Sequence, residues 1–262
     1  MSLAEVFKQT RSEGRAALIG YLPAGFPTVD GSKDLLSAVI DGGADLVEVG
    51  VPYSDPVMDG PTIQAAAVEA LKNGFRLKHL FEVVEAVTAR GGKAVVMTYW
   101  NPVFKYGVDR FSRDLASAGG LGIITPDLTP DEGADWMQAS DAHGLDRIFL
   151  VAPSSSEERI VRTVEASSGF VYATAVMGVT GARESVGAGA RDLVARTRAH
   201  TELPIGVGLG VRSGAQAAEV ASFADAVIVG SALVTQAGSG IDAVRTLSAE
   251  LADGVRKTVA PA

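Results

Sequence analysis

The sequence predicts an α/β fold closed as a (β/α)8 barrel, with an N-terminal helix and extra short helices. Three observations carry that expectation. Eight short apolar, β-rich runs alternate with amphipathic helical stretches along the 262 residues. Strands separated by helices pair in parallel through right-handed crossovers. No Pro/Ser-rich linker or break in composition divides the chain, and ~250 residues is an ordinary size for one such barrel. A single domain over 1–262 is therefore expected.

Taken in order, Ser2-Leu3-Ala4-Glu5 reads as a capping box, and Leu3, Val6 and Phe7 mark one face of a helix ending before Gly14. Strands are expected at Ala16–Tyr21, Asp45–Gly50, Ala94–Thr98, Leu121–Thr125, Arg147–Val151, Phe170–Thr174, Pro204–Leu209 and Ala226–Gly230. Helical periodicity marks Lys33–Asp41, Lys78–Arg90, Asp109–Ala118, Thr129–Ala142, Glu157–Ser167, Arg191–His200 and Ala215–Ser222. Trp136 reads as helix packing, and Glu157-Glu158-Arg159 as a solvated helix start.

Composition excludes several functions. The chain is 47% hydrophobic and 21% charged, which is globular composition. It has no cysteine, so disulfides, thiolate metal sites and cysteine nucleophiles are absent. His79, His143 and His200 are neither adjacent nor at i,i+4 spacing, which argues against a histidine metal site. A net charge of −8 without a Lys/Arg cluster argues against nucleic acid and anionic membrane surfaces. No apolar stretch approaches the ~20 residues of a membrane span, and the N-terminus does not read as a signal peptide. A cytoplasmic location is expected. Glycine is enriched, at 30 residues.

Function is written in the long loops. Strand starts fall about 26 residues apart, but the steps from 45 to 94 and from 170 to 204 are longer. The excess lies beyond the C-terminal ends of the second and sixth strands, the end where such barrels build their sites. In the second strand, alternation turns Val47 and Val49 toward helices and Leu46, Glu48 and Gly50 toward the interior. An inward carboxylate among valines is costly unless paired, and burial raises its pKa toward the range of a general acid/base. Asp59 follows on a loop fixed by Pro52, Pro56 and Pro61. Two carboxylates with separate roles are one reading; a salt-bridged structural Glu48 and a turn-forming Asp59-Gly60 pair are the other. Residues 178–190 hold four glycines among small side chains and read as a lid. Gly206, Gly208, Gly210, Gly230 and Ser231 end the last two strands, where backbone N–H groups bind phosphate without needing a lysine.

The run Glu48-Val49-Gly50-Val51-Pro52-Tyr53-Ser54-Asp55-Pro56, followed by Asp59-Gly60-Pro61-Thr62-Ile63-Gln64, closely resembles the tryptophan synthase alpha subunit family. So do Gly178-Val179-Thr180-Gly181 and Gly230-Ser231, and the resemblance runs essentially end to end. It implies a lyase that splits indole-3-glycerol phosphate into indole and glyceraldehyde 3-phosphate. It implies no cofactor in this chain and a partner, the pyridoxal-phosphate beta subunit, in an alpha2-beta2 heterotetramer. Carried over by motif, Glu48 is the general acid/base and Asp59 the partner of the indole N–H. Tyr172 matches an active-site tyrosine, and Gly181, Gly210, Gly230 and Ser231 match phosphate contacts. Thr180 resembles the lid residue that engages the Asp59 position, while Tyr21, Ile63, Ile124, Leu209 and Ile228 match the indole pocket. The Ser54–Asp59 loop and Asn101-Pro102-Val103 resemble segments facing the beta subunit. The chain departs from the pattern at Met58, Ala175 and Val176. Other readings open at this point are another phosphosugar barrel enzyme, a lyase working without a beta partner, and a binding subunit that mainly activates beta.

Overall fold

The computed structural model describes residues 2–174, 188–208 and 210–257. Its strands are β1 (Ala17–Pro23), β2 (Leu46–Gly50), β3 (Ala94–Met97), β4 (Gly122–Ile124), β5 (Asp146–Ile148), β6 (Leu150–Val151), β7 (Val171–Thr174), β8 (Ile205–Gly208) and β9 (Ala226–Val229). They form one parallel sheet in the order β5-β4-β3-β2-β1-β9-β8-β7-β6. The two ends of that order, β5 and β6, are separated in sequence by Phe149 alone. The sheet thus curls until its ends meet, and the nine runs make the eight staves of a (β/α)8 barrel. The stave expected at Arg147–Val151 is interrupted at Phe149, whose fully buried ring packs outward beneath the helices.

Side-chain alternation sorts two cores. Leu18, Leu22, Val47, Val49, Val96 and Val207 belong to the layer between sheet and helices. Ala17, Ile19, Leu46, Val95, Ile124, Ile148, Ala226 and Ile228 fill the barrel interior, as the period of two requires. The N-terminal helix, Leu3–Ser12, begins with the expected capping box of Ser2 and Glu5. Its Leu3 and Phe7 join the interior core, with the Phe7 and Phe170 rings 5.6 Å apart. At the same end, the buried Arg15 guanidinium makes two 2.8 Å bonds to the Asp45 carboxylate, which also accepts from the Leu18 N–H.

Five expected helices match within a few residues, but Val29–Asp41 starts earlier because Thr28 caps the Gly31 N–H. The expected stretch Thr129–Ala142 is divided by Gly133 into a 3-10 turn, Pro130–Glu132, and a helix, Ala134–His143. Much of the excess length after β2 is itself helical, at Pro61–Lys72. A further long helix, Ile241–Arg256, returns the chain along the barrel and packs Leu251, Ala252 and Val255 into the outer core. Among the described residues no helix is long and apolar enough to cross a membrane. The three histidines serve helix ends and surfaces: His79 accepts from the Arg76 N–H, His143 pairs with Asp109 and His200 with Glu157.

Candidate active site

Glu48 sits in the middle of β2, in register with Tyr21 of β1 and Val95 of β3. It is 1% exposed, and its Oε2 has no hydrogen-bond partner among the described residues. Among the described residues Glu48 makes no salt bridge. Burial, and secondarily the Asp59 charge, push the Glu48 carboxyl up to about 8. A carboxyl so placed is neutral at pH 7 yet close enough to its titration point to give and take a proton.

Asp59 reaches the same chamber from the loop after β2. Its pKa is raised by burial, against which a hydrogen bond from the Tyr99 hydroxyl favours the charged form. That hydroxyl also accepts from the Met58 N–H at 3.0 Å. Gln64 donates to the Asp59 carbonyl at 2.8 Å, and Pro61 at the first helical position fixes where the loop ends.

Two tyrosines flank Glu48, each housed by a glycine on the neighbouring strand. A β-carbon at Gly50 would collide with the Tyr21 hydroxyl and stand 2.5 Å from its Cζ. A β-carbon at Gly208 would collide with the Tyr172 hydroxyl and stand 3.0 Å from its Cζ. In register these glycines lie two residues beyond the tyrosines' own partners, Glu48 and Gly206, so both rings lean toward the C-terminal end of the barrel. Burial and the charge of Glu48 both raise the tyrosines, with Asp59 adding to Tyr21, so the hydroxyls stay protonated.

Gly206 and Gly208 are therefore packing residues of the interior. Gly206 faces Phe170 and Ile228. Gly210, beyond β8, has φ +72° and open space around it, a left-handed conformation suited to glycine. Gly230 precedes the short helix Ser231–Ala237 and lies beside the Tyr21 ring. Ser231 lines a cavity of about 220 Å3 with Thr62, Arg212, Thr235 and Gln236. Glu48 does not line that cavity; it lies deeper in the barrel. Ile124 and Ile228 are buried in the interior core, whereas Ile63 is partly buried against the outer one. Thr180, Gly181 and Leu209 lie outside the described residues. No group of three or more His, Asp or Glu able to hold a metal ion occurs among the described residues.

The sequence matches the family described as tryptophan synthase alpha chain over residues 7–260. The chain belongs to the tryptophan synthase alpha chain family. The tryptophan synthase alpha chain of Nocardia farcinica is 66% identical over 97% of this chain and 96% of its own length. That of Mycobacterium marinum is 59% identical, with 99% and 96% covered. A solved structure of Mycobacterium tuberculosis tryptophan synthase superposes with a TM-score of 0.94 at 59% identity, covering 97% of this chain and 98% of that one. A mutant tryptophan synthase alpha-subunit from Pyrococcus furiosus still gives 0.83 at 33% identity, with 90% and 98% covered. Membership assigns the alpha reaction: this is a carbon–carbon lyase of tryptophan biosynthesis, cleaving indole-3-glycerol phosphate.

Relative to the motifs that mark the tryptophan synthase alpha chain family, Tyr99 is the site residue that sequence reading missed. It lies just past β3, is 5% exposed, and acts across 40 residues of chain on Asp59. The one available signal was a tyrosine placed at a strand's C-terminal end, which is weak alone. Nearby, Asn101 donates to the Tyr53 hydroxyl at 3.1 Å and the Tyr53 and Tyr99 rings lie 5.2 Å apart. The loop after β2 and the helix Trp100–Tyr106 are thereby joined, and they present Val57, Met58 and Phe104 to solvent.

Proposed function

We propose that Glu48 and Asp59 divide the work of the alpha reaction within one barrel domain, residues 1–262. The observation that supports this most is a buried Glu48 carboxyl, its Oε2 without a hydrogen-bond partner among the described residues, in a chamber shared with Asp59. Cleavage of the bond to indole C3 puts a proton on C3 and takes one from the glycerol hydroxyl, while the bonding pair passes to the ring. Glu48, neutral at pH 7, delivers the first, and its conjugate base accepts the second. Each positioned transfer is worth about 10²–10⁴ in rate. Asp59 in its charged form stabilises the positive charge that develops at the indole nitrogen.

Tyr21, Ile63, Ile124, Leu209 and Ile228 line the indole pocket, with Tyr172 at the reacting end. Gly181, Gly210, Gly230 and Ser231 hold the phosphate, and Thr180 engages Asp59 as the lid shuts. The anchored phosphate lets remote binding energy position the reacting carbon. The exposed Val57, Met58 and Phe104 form the apolar part of a docking surface for the beta subunit, which carries pyridoxal phosphate, in an alpha2-beta2 assembly of the cytoplasm.

The test is indole release from indole-3-glycerol phosphate by the full chain, with and without beta. Glu48→Gln is expected to lose at least 10²-fold in kcat while still co-eluting with beta. Indole release at the wild-type rate from that variant overturns the assignment.

A further inference from the structure

Gly210, Gly230 and Ser231, assigned above to the substrate phosphate, offer it only neutral donors. A phosphate ester carries about −1.5 to −2 charges at pH 7, and it approaches a chain of net charge −8, whose field opposes it. The cavity of about 220 Å3 beside Ser231 has one cationic group in its wall, Arg212. The other polar groups lining it are the hydroxyls of Thr62, Ser231 and Thr235 and the amide of Gln236, and no Asp or Glu lines it among the described residues.

The main chain at Arg212 is tied down while its head is left free. Val211 before it is 1% exposed, and the Arg212 N–H donates to Gln216 Oε1 at 2.8 Å. Ser213 caps the helix Gly214–Ala221 by accepting from the Gln216 N–H at 3.4 Å, and the Gly214 N–H donates to the Glu250 carboxylate at 2.8 Å. The guanidinium itself makes no ion pair or hydrogen bond among the described residues. Other arginines spend theirs on carboxylates: Arg15 on Asp45, Arg196 on Glu157 and Arg198 on Asp225. A guanidinium fork matches two phosphate oxygens at once, which is the partner this cavity wants.

We infer that Arg212 is a specificity-determining residue for the lyase reaction, its guanidinium pairing with the substrate phosphate across the cavity it shares with Ser231. The inference rests on the placement of the phosphate at Gly230 and Ser231 proposed above. Neutral donors fix where the phosphate sits, and the guanidinium separates a dianion from an uncharged group of similar size. Glu48 does not line this cavity, so Arg212 acts away from the proton transfers. Its contact is alike in ground and transition states and falls on KM rather than kcat.

The experiment measures indole release by the full chain assembled with beta, and its inhibition by inorganic phosphate, for wild type, Arg212→Met, Arg212→Lys and Ser231→Ala. Arg212→Met keeps the length of the stem and removes the charge, and a thermal midpoint checks the fold. It is expected to raise KM for indole-3-glycerol phosphate about tenfold, with the inhibition constant of inorganic phosphate rising by a similar factor and kcat little changed. Arg212→Lys should recover part of both. A KM and a phosphate inhibition that stay put in Arg212→Met but weaken in Ser231→Ala overturn the role of Arg212 alone. A fall in kcat with phosphate inhibition unchanged overturns it as well. Silence in both variants overturns the placement of the phosphate, and with it the reason for Arg212.

Discussion

Glu48 carries a stability signature that is separable from its chemistry. The residue is 1% exposed, one carboxyl oxygen has no hydrogen-bond partner among the described residues, and burial pushes the group up to about 8 from an ordinary 4.5. The folded state therefore binds this proton more tightly than the unfolded state does. Below pH 4.5 both states hold it and nothing is lost. Between 4.5 and 8 the unfolded chain ionises while the folded one does not, so stability declines as pH rises, and above 8 the loss is complete. A shift of this size at ~1.4 kcal/mol per unit corresponds to about 5 kcal/mol in full and about 3 kcal/mol at pH 7, a large share of the 5–15 kcal/mol of a typical domain. In Glu48→Gln that pH-dependent loss vanishes. The buried amide adds an offset of its own, but one that does not vary with pH. Denaturant unfolding of both proteins at pH 5, 7 and 9 checks this. The stability difference should move in favour of the variant by several kcal/mol across the series, even as indole release is lost. Curves that run parallel from pH 5 to 9 would refute the claim that a buried, unpaired carboxyl occupies this position.

Other outcomes follow from contacts at both ends of the barrel. Gly50→Ala drives a β-carbon into the Tyr21 ring; we expect about 1–3 kcal/mol of destabilisation and a weakened kcat/KM, read by thermal midpoint and indole release. Arg15→Ala strips a buried partner from Asp45 and should cost about 3–5 kcal/mol in denaturant while leaving kcat unchanged, since both groups lie at the end remote from Glu48. Ser231→Ala should raise KM for the phosphorylated substrate several-fold with little change in kcat, measured by steady-state kinetics. Phe104→Asp places a charge on the exposed face of the helix Trp100–Tyr106; calorimetric titration should show weakened beta binding, and indole release by the isolated chain should not change.

The barrel was legible wherever a repeating period did the talking. Val47 and Val49 outward with Leu46 and Glu48 inward is a pattern of two that only one pleat satisfies. Elements were lost where their start signals were silent. The helix Ile241–Arg256 begins at Gly240, with φ +104° and no side-chain cap, and Pro61–Lys72 begins at Gly60, also uncapped. Pro61 at the first helical position was the cue for the second. At the site, Glu48 could be read from alternation because its burial is a property of its strand. Tyr99 could not, because it meets the loop through a hydrogen bond from the Met58 N–H, 41 residues away, which no local pattern encodes. Glycines mislead for a related reason: Gly208 and Gly210 look alike in sequence, yet one makes room for Tyr172 and the other is required by its backbone angle.

The placement of the two carboxylates explains how an unpaired buried charge site persists. β1 pairs with all of Leu46–Gly50 and β3 with Val47–Gly50, so Glu48 is held by strands on both sides. The opposite end of the barrel is closed by Leu3, Phe7 and Phe170 and by the Arg15–Asp45 pair, apolar burial and a satisfied ion pair that offset the cost of Glu48. Asp59 is held differently, on a loop tied by the Met58 N–H to the Tyr99 hydroxyl, by Gln64 to the Asp59 carbonyl, and ending at Pro61. One carboxylate is thus held by paired strands and the other sits on a loop tied by a few hydrogen bonds. If the beta subunit seats on Val57 and Met58, as proposed, it bears on the residues that precede Asp59 in the chain, while Glu48 stays fixed within the sheet.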